Sequence, residues 1–164
     1  MMLHILTTGG TIEGLDYNEK DRGREKSNFS IKAFLEAANV SFQYNIEEVF
    51  TLDSRFISQE HRESLANKIR AVDSDKILIT HGTYTMEDTA KYIGNLKFNK
   101  TIVLTGSFIL GTSAKTDAPF NLGFAISSLQ FLKPDVYVAM NGEVFHWGNV
   151  TKNLETNKFE YKNE

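Results

Sequence analysis

The sequence predicts an α/β domain: a doubly wound, mostly parallel sheet with helices on both faces, a Rossmann-like three-layer architecture. Three observations carry this expectation. Short apolar runs rich in Ile, Leu and Val alternate with longer segments of helical period. Three of those runs end alike, in a turn of threonine, serine and glycine: Thr7-Thr8-Gly9-Gly10-Thr11, Thr80-His81-Gly82-Thr83 and Thr105-Gly106-Ser107. The chain has 164 residues, 41% of them hydrophobic and 24% charged, which suits one ordinary globular domain with a real core. Strand–helix alternation is the signature of parallel strands joined by crossover helices.

Taken in order, residues 2–6, 41–50, 76–79, 101–104 and 136–140 read as strands. Residues 31–38, 58–72, 86–96 and 119–132 read as helices. Ser58, followed by Glu60 and Arg62, marks a helix start, and Ile57, Leu65, Ile69 and Val72 recur at near-helical spacing. Asp117 precedes Pro119, a residue suited to a first helical turn. The chain contains two prolines and shows no linker, repeat or low-complexity tract, so residues 1–164 are expected to form one domain. The polar tail after Asn153 is expected to be partly mobile or to pack on a partner.

Composition excludes several functions. The net charge of −3 and the absence of a basic stripe argue against nucleic acid as a partner. The densest basic stretch, 20–26, is interleaved with Asp21 and Glu25 and reads as a solvated loop. With no cysteine, neither a disulfide, a thiolate metal site nor a cysteine nucleophile is available. The amino terminus lacks a basic region followed by a long apolar stretch, and no apolar run reaches spanning length. A cytoplasmic protein without a membrane partner is therefore expected. His4, His61, His81 and His146 have no metal-ligand spacing, and neither GxxxxGK[ST] nor GxGxxG occurs. No metal and no cofactor are expected.

The three threonine-bearing turns should lie at the carboxyl edge of the sheet, where ligands of open α/β sheets bind. Each turn alone is common punctuation, whereas three together describe a pocket. A hydroxyl becomes a competent nucleophile only beside a base or a cation. A lysine serves when a dry site or a second charge lowers its proton affinity. Asn149-Val150-Thr151-Lys152, after the last strand, supplies a lysine, although a lone lysine is more often a solvated surface residue.

These motifs together resemble the L-asparaginase family. Thr8-Gly9-Gly10-Thr11-Ile12 resembles its first threonine signature, and Thr80-His81-Gly82-Thr83-Tyr84-Thr85-Met86-Glu87-Asp88-Thr89-Ala90 its second. Leu104-Thr105-Gly106 and Asp117-Ala118-Pro119-Phe120-Asn121-Leu122 resemble the stretch that follows, and Val150-Thr151-Lys152 the segment holding the family's catalytic lysine. The order is right and nearly the whole chain is covered. The resemblance implies an amidohydrolase that cleaves the side-chain amide of a small amino-acid-like substrate and releases ammonia through a threonine acyl-enzyme. By position, Thr11 is the nucleophile, and Thr83 with Lys152 forms a second catalytic pair in which the lysine is base or charge partner. Gly10 and Gly82 bring backbone amides to the substrate, and Ser54 helps hold its α-carboxylate. His81 is expected to support its loop through hydrogen bonds.

The match departs at three places. Tyr84 stands where the family carries an aspartate that grips the substrate's α-ammonium, and a tyrosine cannot supply that charge near neutral pH. Phe29 stands where the mobile loop carries a tyrosine, with Tyr17 and Tyr84 as possible replacements. Arg55 adds a cation beside Ser54, either as a pocket residue or as half of a surface ion pair. A ligand more anionic than asparagine, or one without a free α-amino group, follows from these changes.

A single domain without the family's second domain is expected, resembling stand-alone bacterial asparaginase-like proteins, and a homo-oligomer is expected to cover the open edge. Phe145, His146 and Trp147 are read as a buried hairpin in preference to an interface. An alternative function stays open: a catalytically impaired module that binds or senses a small ligand.

Overall fold

The computed structural model describes residues 1–15 and 30–162. Strands β1 (Met2–Thr7), β2 (Gln43–Glu48), β3 (Lys76–Thr80), β4 (Thr101–Thr105) and β5 (Asp135–Met140) run parallel in the order β2-β1-β3-β4-β5. Strand β6 (Glu143–His146) pairs antiparallel with β5 at the edge. Helices α1 (Ile31–Ala37), α2 (Gln59–Ala71), α3 (Met86–Asn95) and α4 (Ala118–Phe131) connect them. The five expected strands and four expected helices are all present, with ends displaced by a few residues at most.

The alternation of side chains across the strands sorts the core into two layers. Ile77, Ile79, Ile102, Leu104, Val136 and Val138 face one way, against Leu65 and Ile69 of α2 and Met86, Ala90 and Ile93 of α3. Leu3, Ile5, Leu78, Val103 and Ala139 face the other, against Ile31 and Leu35 of α1 and Leu122, Ala125 and Leu129 of α4. Near-continuous apolar runs such as Ile77-Leu78-Ile79 are what a parallel strand buried on both faces requires.

Helix starts follow local chemistry. Ser58 caps α2 in a reciprocal box: its side chain accepts from the His61 amide, and the His61 ring accepts from the Ser58 amide. Ser30 caps α1 by accepting from the Ala33 amide. Asp117 precedes Pro119 at the start of α4, but its carboxylate turns outward to accept from the amides of Phe108 and Ile109, tying the loop after β4 to this helix.

Residues 154–161 of the polar tail fold back as part of a hairpin on the domain. Strands β7 (Val150–Asn153) and β8 (Lys158–Tyr161) form a separate antiparallel hairpin. The Asn153 side chain accepts from the amides of Glu155 and Thr156 to turn the chain. Phe159, the apolar residue in a run of polar ones, is buried and fixes the hairpin to the α3 side of the core. Of the Phe145-His146-Trp147 segment expected to be a buried hairpin, Phe145 is buried in the β5–β6 hairpin, His146 is exposed, and Trp147 is partly buried with its indole donating to Asp135.

Trp147 also lies flat against Gly94 in α3, where an added Cβ would sit 2.3 Å from the ring. In an open helix, alanine would be better than glycine by about 1 kcal/mol. Here the indole must move, and overpacking of this kind costs about 1–3 kcal/mol. Gly94→Ala is therefore expected to lower Tm by a few degrees and to shift the Trp147 fluorescence. A rise in Tm would show that the indole yields freely.

Candidate active site

The strand order reverses direction at β1 and β3, whose carboxyl ends define the switch point where a crevice opens. The loops leaving these ends are bound together at once. Thr8 donates both its hydroxyl, at 2.7 Å, and its amide, at 3.2 Å, to the Thr80 carbonyl. Gly10 then turns through φ +84°, a conformation that L side chains rarely adopt, and lies directly on Gly82. A Cβ on Gly10 would be 2.6 Å from the Gly82 Cα. Thr11 follows Gly10 in a single 3₁₀ turn and is buried, and Thr83 follows Gly82 and is buried too. The two hydroxyl residues thus flank one backbone-to-backbone contact.

Below this contact lies Ser54, fully buried, in the turn after β2. Its hydroxyl accepts from the Tyr84 amide at 3.2 Å, and its carbonyl accepts from the Thr85 hydroxyl at 2.7 Å. Arg55, next in sequence, is partly exposed. Its guanidinium donates to the Asp53 carboxylate at 2.8 and 2.5 Å and lies 5.5 Å from the centre of the Tyr84 ring. The cation therefore arrives with its own acid, and the ion-pair reading of Arg55 describes its geometry. Tyr84 is half-exposed, so its ring stands at the mouth of the site.

Lys152 enters from the β7–β8 hairpin. Its ammonium donates to the Thr83 hydroxyl at 3.0 Å. The rings of Tyr84 and Phe108 lie 4.5 and 5.3 Å from the nitrogen. Burial pushes the lysine below its usual range, and the negative charge of Glu87 opposes that shift in part. The backbone amide of Lys152 donates to the Glu87 carboxylate at 2.7 Å. The half-buried lysine, its proton affinity reduced, is thus paired to one hydroxyl, and Thr11 is buried across the Gly10–Gly82 contact.

A family model for the asparaginase amino-terminal domain matches residues 2–161. The chain belongs to the asparaginase family. It is 34% identical over 163 residues to the probable periplasmic L-asparaginase of Haemophilus influenzae, covering 93% of this chain and 46% of that one. Among solved structures, the thermostable L-asparaginase from Thermococcus kodakarensis superposes with a TM-score of 0.84 at 27% identity, over 100% of this chain and 52% of its own. The probable cytoplasmic L-asparaginase from Campylobacter jejuni gives 0.80 at 28% identity, over 98% and 51%. The chain spans about half the length of these asparaginases.

The fold thus gathers Gly10, Thr11, Ser54, Gly82, Thr83, Tyr84 and Lys152 around one edge, with Arg55 at its rim. Tyr17 and Phe29 lie outside the described residues. Three contributors escaped the sequence reading. Phe108 forms a wall of the lysine site, and its position just past Thr105-Gly106-Ser107 was the available signal. Glu87 lies inside the second signature without drawing attention. Glu13 folds back to accept from the Gly9 amide at 2.5 Å, which no spacing rule announces. Among the described residues, no cluster of histidine and acidic side chains has the makings of a metal site.

His81 supports its loop as expected. It is wholly buried, with Nδ1 2.7 Å from the Gly82 carbonyl, which identifies Nδ1 as the protonated nitrogen of a neutral ring. Burial is the main cause that lowers its pKa from 6.5 to about 4; the Gly82 carbonyl opposes the shift, and the charge on Arg62 adds to it. The unfolded chain thus binds this proton more readily than the folded one. The stability tied to neutral His81 is full above pH 6.5 and is lost as pH falls from 6.5 towards 4, by about 3 kcal/mol in all. Tm is expected to drop across that window, and His81→Gln is expected to flatten the drop. Equal slopes for the two proteins would refute this assignment.

Proposed function

We propose that this chain provides the catalytic half-site of a cytoplasmic amidohydrolase, with Thr11 as nucleophile and Thr83–Lys152 as the proton-handling pair. The observation that carries the proposal is the 3.0 Å contact between Lys152 Nζ and Thr83 Oγ1, made across 69 residues of sequence. In the reaction, the Thr11 hydroxyl adds to the amide carbon and its proton passes to the leaving nitrogen, which departs as ammonia. Water then cleaves the resulting ester, yielding the carboxylate and restoring the Thr11 hydroxyl. Lys152, in its free-base fraction, draws a proton through Thr83 and returns it. Backbone amides around Gly10 and Gly82 face the developing oxyanion. No metal or cofactor takes part.

The substrate class we propose is a short carboxamide that carries a carboxylate but no α-ammonium. Tyr84 replaces the acid that would hold an ammonium, and Arg55 is already compensated by Asp53. Ser54 keeps a hydroxyl for the carboxylate. A homo-oligomer is proposed to shelter the edge. Cytoplasmic residence accords with the lack of cysteine. A second reading, an impaired module that binds a small acid, draws on the Tyr84 ring lying over the Lys152 ammonium. Thermal stabilisation by succinate without turnover of any amide would favour it.

Ammonia release from succinamate is the test. Thr11→Ala and Lys152→Met are each expected to lower kcat by about a thousandfold. Absence of release from succinamate, asparagine and glutamine alike would remove the hydrolase. Tyr84→Asp is expected to move the ratio of kcat/KM for asparagine over succinamate upward by about tenfold to a hundredfold, since a charge-assisted contact is restored. An unmoved ratio would show that Tyr84 does not set specificity.

A further inference from the structure

Lys152 does not sit in the main sheet. Its strand pairs with β8 in a two-stranded hairpin that is separate from the six-stranded sheet. The parallel ladder that sets Thr83 relative to Thr11 therefore does nothing to place the lysine. Besides the Lys152 side chain itself, which reaches Thr83, β7 is tied to the body of the domain by Val150, buried in the core on the α3 side, and by the hydrogen bond from the Lys152 amide to Glu87. Glu87 stands in the first turn of α3, four residues after Thr83. One helix start thus carries both the hydroxyl that meets the lysine side chain and the carboxylate that holds the lysine backbone.

We propose that Glu87 is a positioning residue that clamps the Lys152 backbone to the first turn of α3 and acts as the lysine's anionic partner where Tyr84 has displaced the family acid. This rests on the role proposed above for Lys152 and Thr83. The bond is charge-assisted and, at 2.7 Å, short for an N–H donor, as expected of a carboxylate acceptor. Among the described residues, the ammonium's own contacts are to neutral groups. Thr83 and the Tyr84 and Phe108 rings carry no charge. Arg55 lies on the Tyr84 ring and is paired with Asp53. Across the hairpin, Phe159 faces Lys152, and Glu160 accepts from the Asn153 side chain. Glu87 is the charged group whose influence on Lys152 opposes burial.

The role has two separable parts. Glu87→Gln keeps an oxygen that accepts from the Lys152 amide and removes the charge, whereas Glu87→Ala removes both. Asp88→Asn, in the same helical turn, is the control. The titration of Lys152 is followed by ¹³C NMR of labelled lysine side chains, with Lys152→Met giving the assignment, alongside the pH profile of kcat on succinamate. Glu87→Gln is expected to keep Tm and to move both the Lys152 midpoint and the acid limb of kcat to lower pH. Glu87→Ala is expected to lower kcat about tenfold to a hundredfold with little change in KM, as befits a displaced catalytic group. Asp88→Asn should titrate as the parent does. A Glu87→Gln protein with the parent's midpoint, or a Glu87→Ala protein with the parent's kcat, overturns the proposal. If the parent turns over no amide, the hydrolase reading fails, while the NMR midpoint still decides whether Glu87 governs the lysine.

Discussion

The site depends on backbone meeting backbone without side chains between. Gly10 lies on the Gly82 backbone and Gly9 on the Leu52 backbone: a Cβ on either glycine would fall 2.6 Å from a main-chain atom of the neighbouring loop. Gly106 rests on the His81 carbonyl in the same fashion, at 2.3 Å from its own missing Cβ. Loops from β1, β2, β3 and β4 are therefore stacked at main-chain distance. The parallel register, with Thr7 beside Thr80 and Thr80 beside Thr105, delivers these loops at one height. A methyl group between them would force these loops, and the hydroxyl residues they carry, apart. Buried neutral His81 completes the stack by bonding the carbonyl of Gly82 from inside.

The lysine obeys a different logic. It comes from a satellite hairpin, it is partly withdrawn from water, and its ammonium is met by one hydroxyl and two aromatic faces. An aromatic face attracts a cation by about 0.5–2 kcal/mol, less than a buried carboxylate would. The balance between desolvation and the influence of Glu87 therefore falls on the side of a lowered proton affinity. The hydroxyls are located by covalent proximity to the sheet, the lysine by contacts across the domain.

This division also explains what the sequence revealed. The order of strands and helices was legible because apolar runs such as Ile102-Val103-Leu104 can only be buried on both faces, and because Ser58 and Pro119 punctuate helix starts. The edge of the sheet was legible because repeated Thr-Gly turns follow the strands. Lys152 was invisible to such rules, and only the family resemblance raised it above a surface lysine. The β7–β8 hairpin escaped because its burial rests on Val150 and Phe159 amid polar residues, too sparse a pattern for periodicity. Glu87 escaped because its target is a backbone amide, which every residue carries and no motif records.

Tyr84 joins the two halves of the site, and its effect is larger than a lost contact. An aspartate at this position would offer a substrate ammonium a partner and would hold the Lys152 proton more tightly. A tyrosine does neither. In the proposed reaction it weakens recognition of an amino acid while leaving the lysine more readily deprotonated beside Thr83. Its ring also spans from Arg55 to Lys152, so the rim of the site and the Thr83–Lys152 pair are in contact through one side chain. Under the proposed function, specificity and basicity would change together at this residue, and a substrate without an α-ammonium is the one for which both changes would favour turnover.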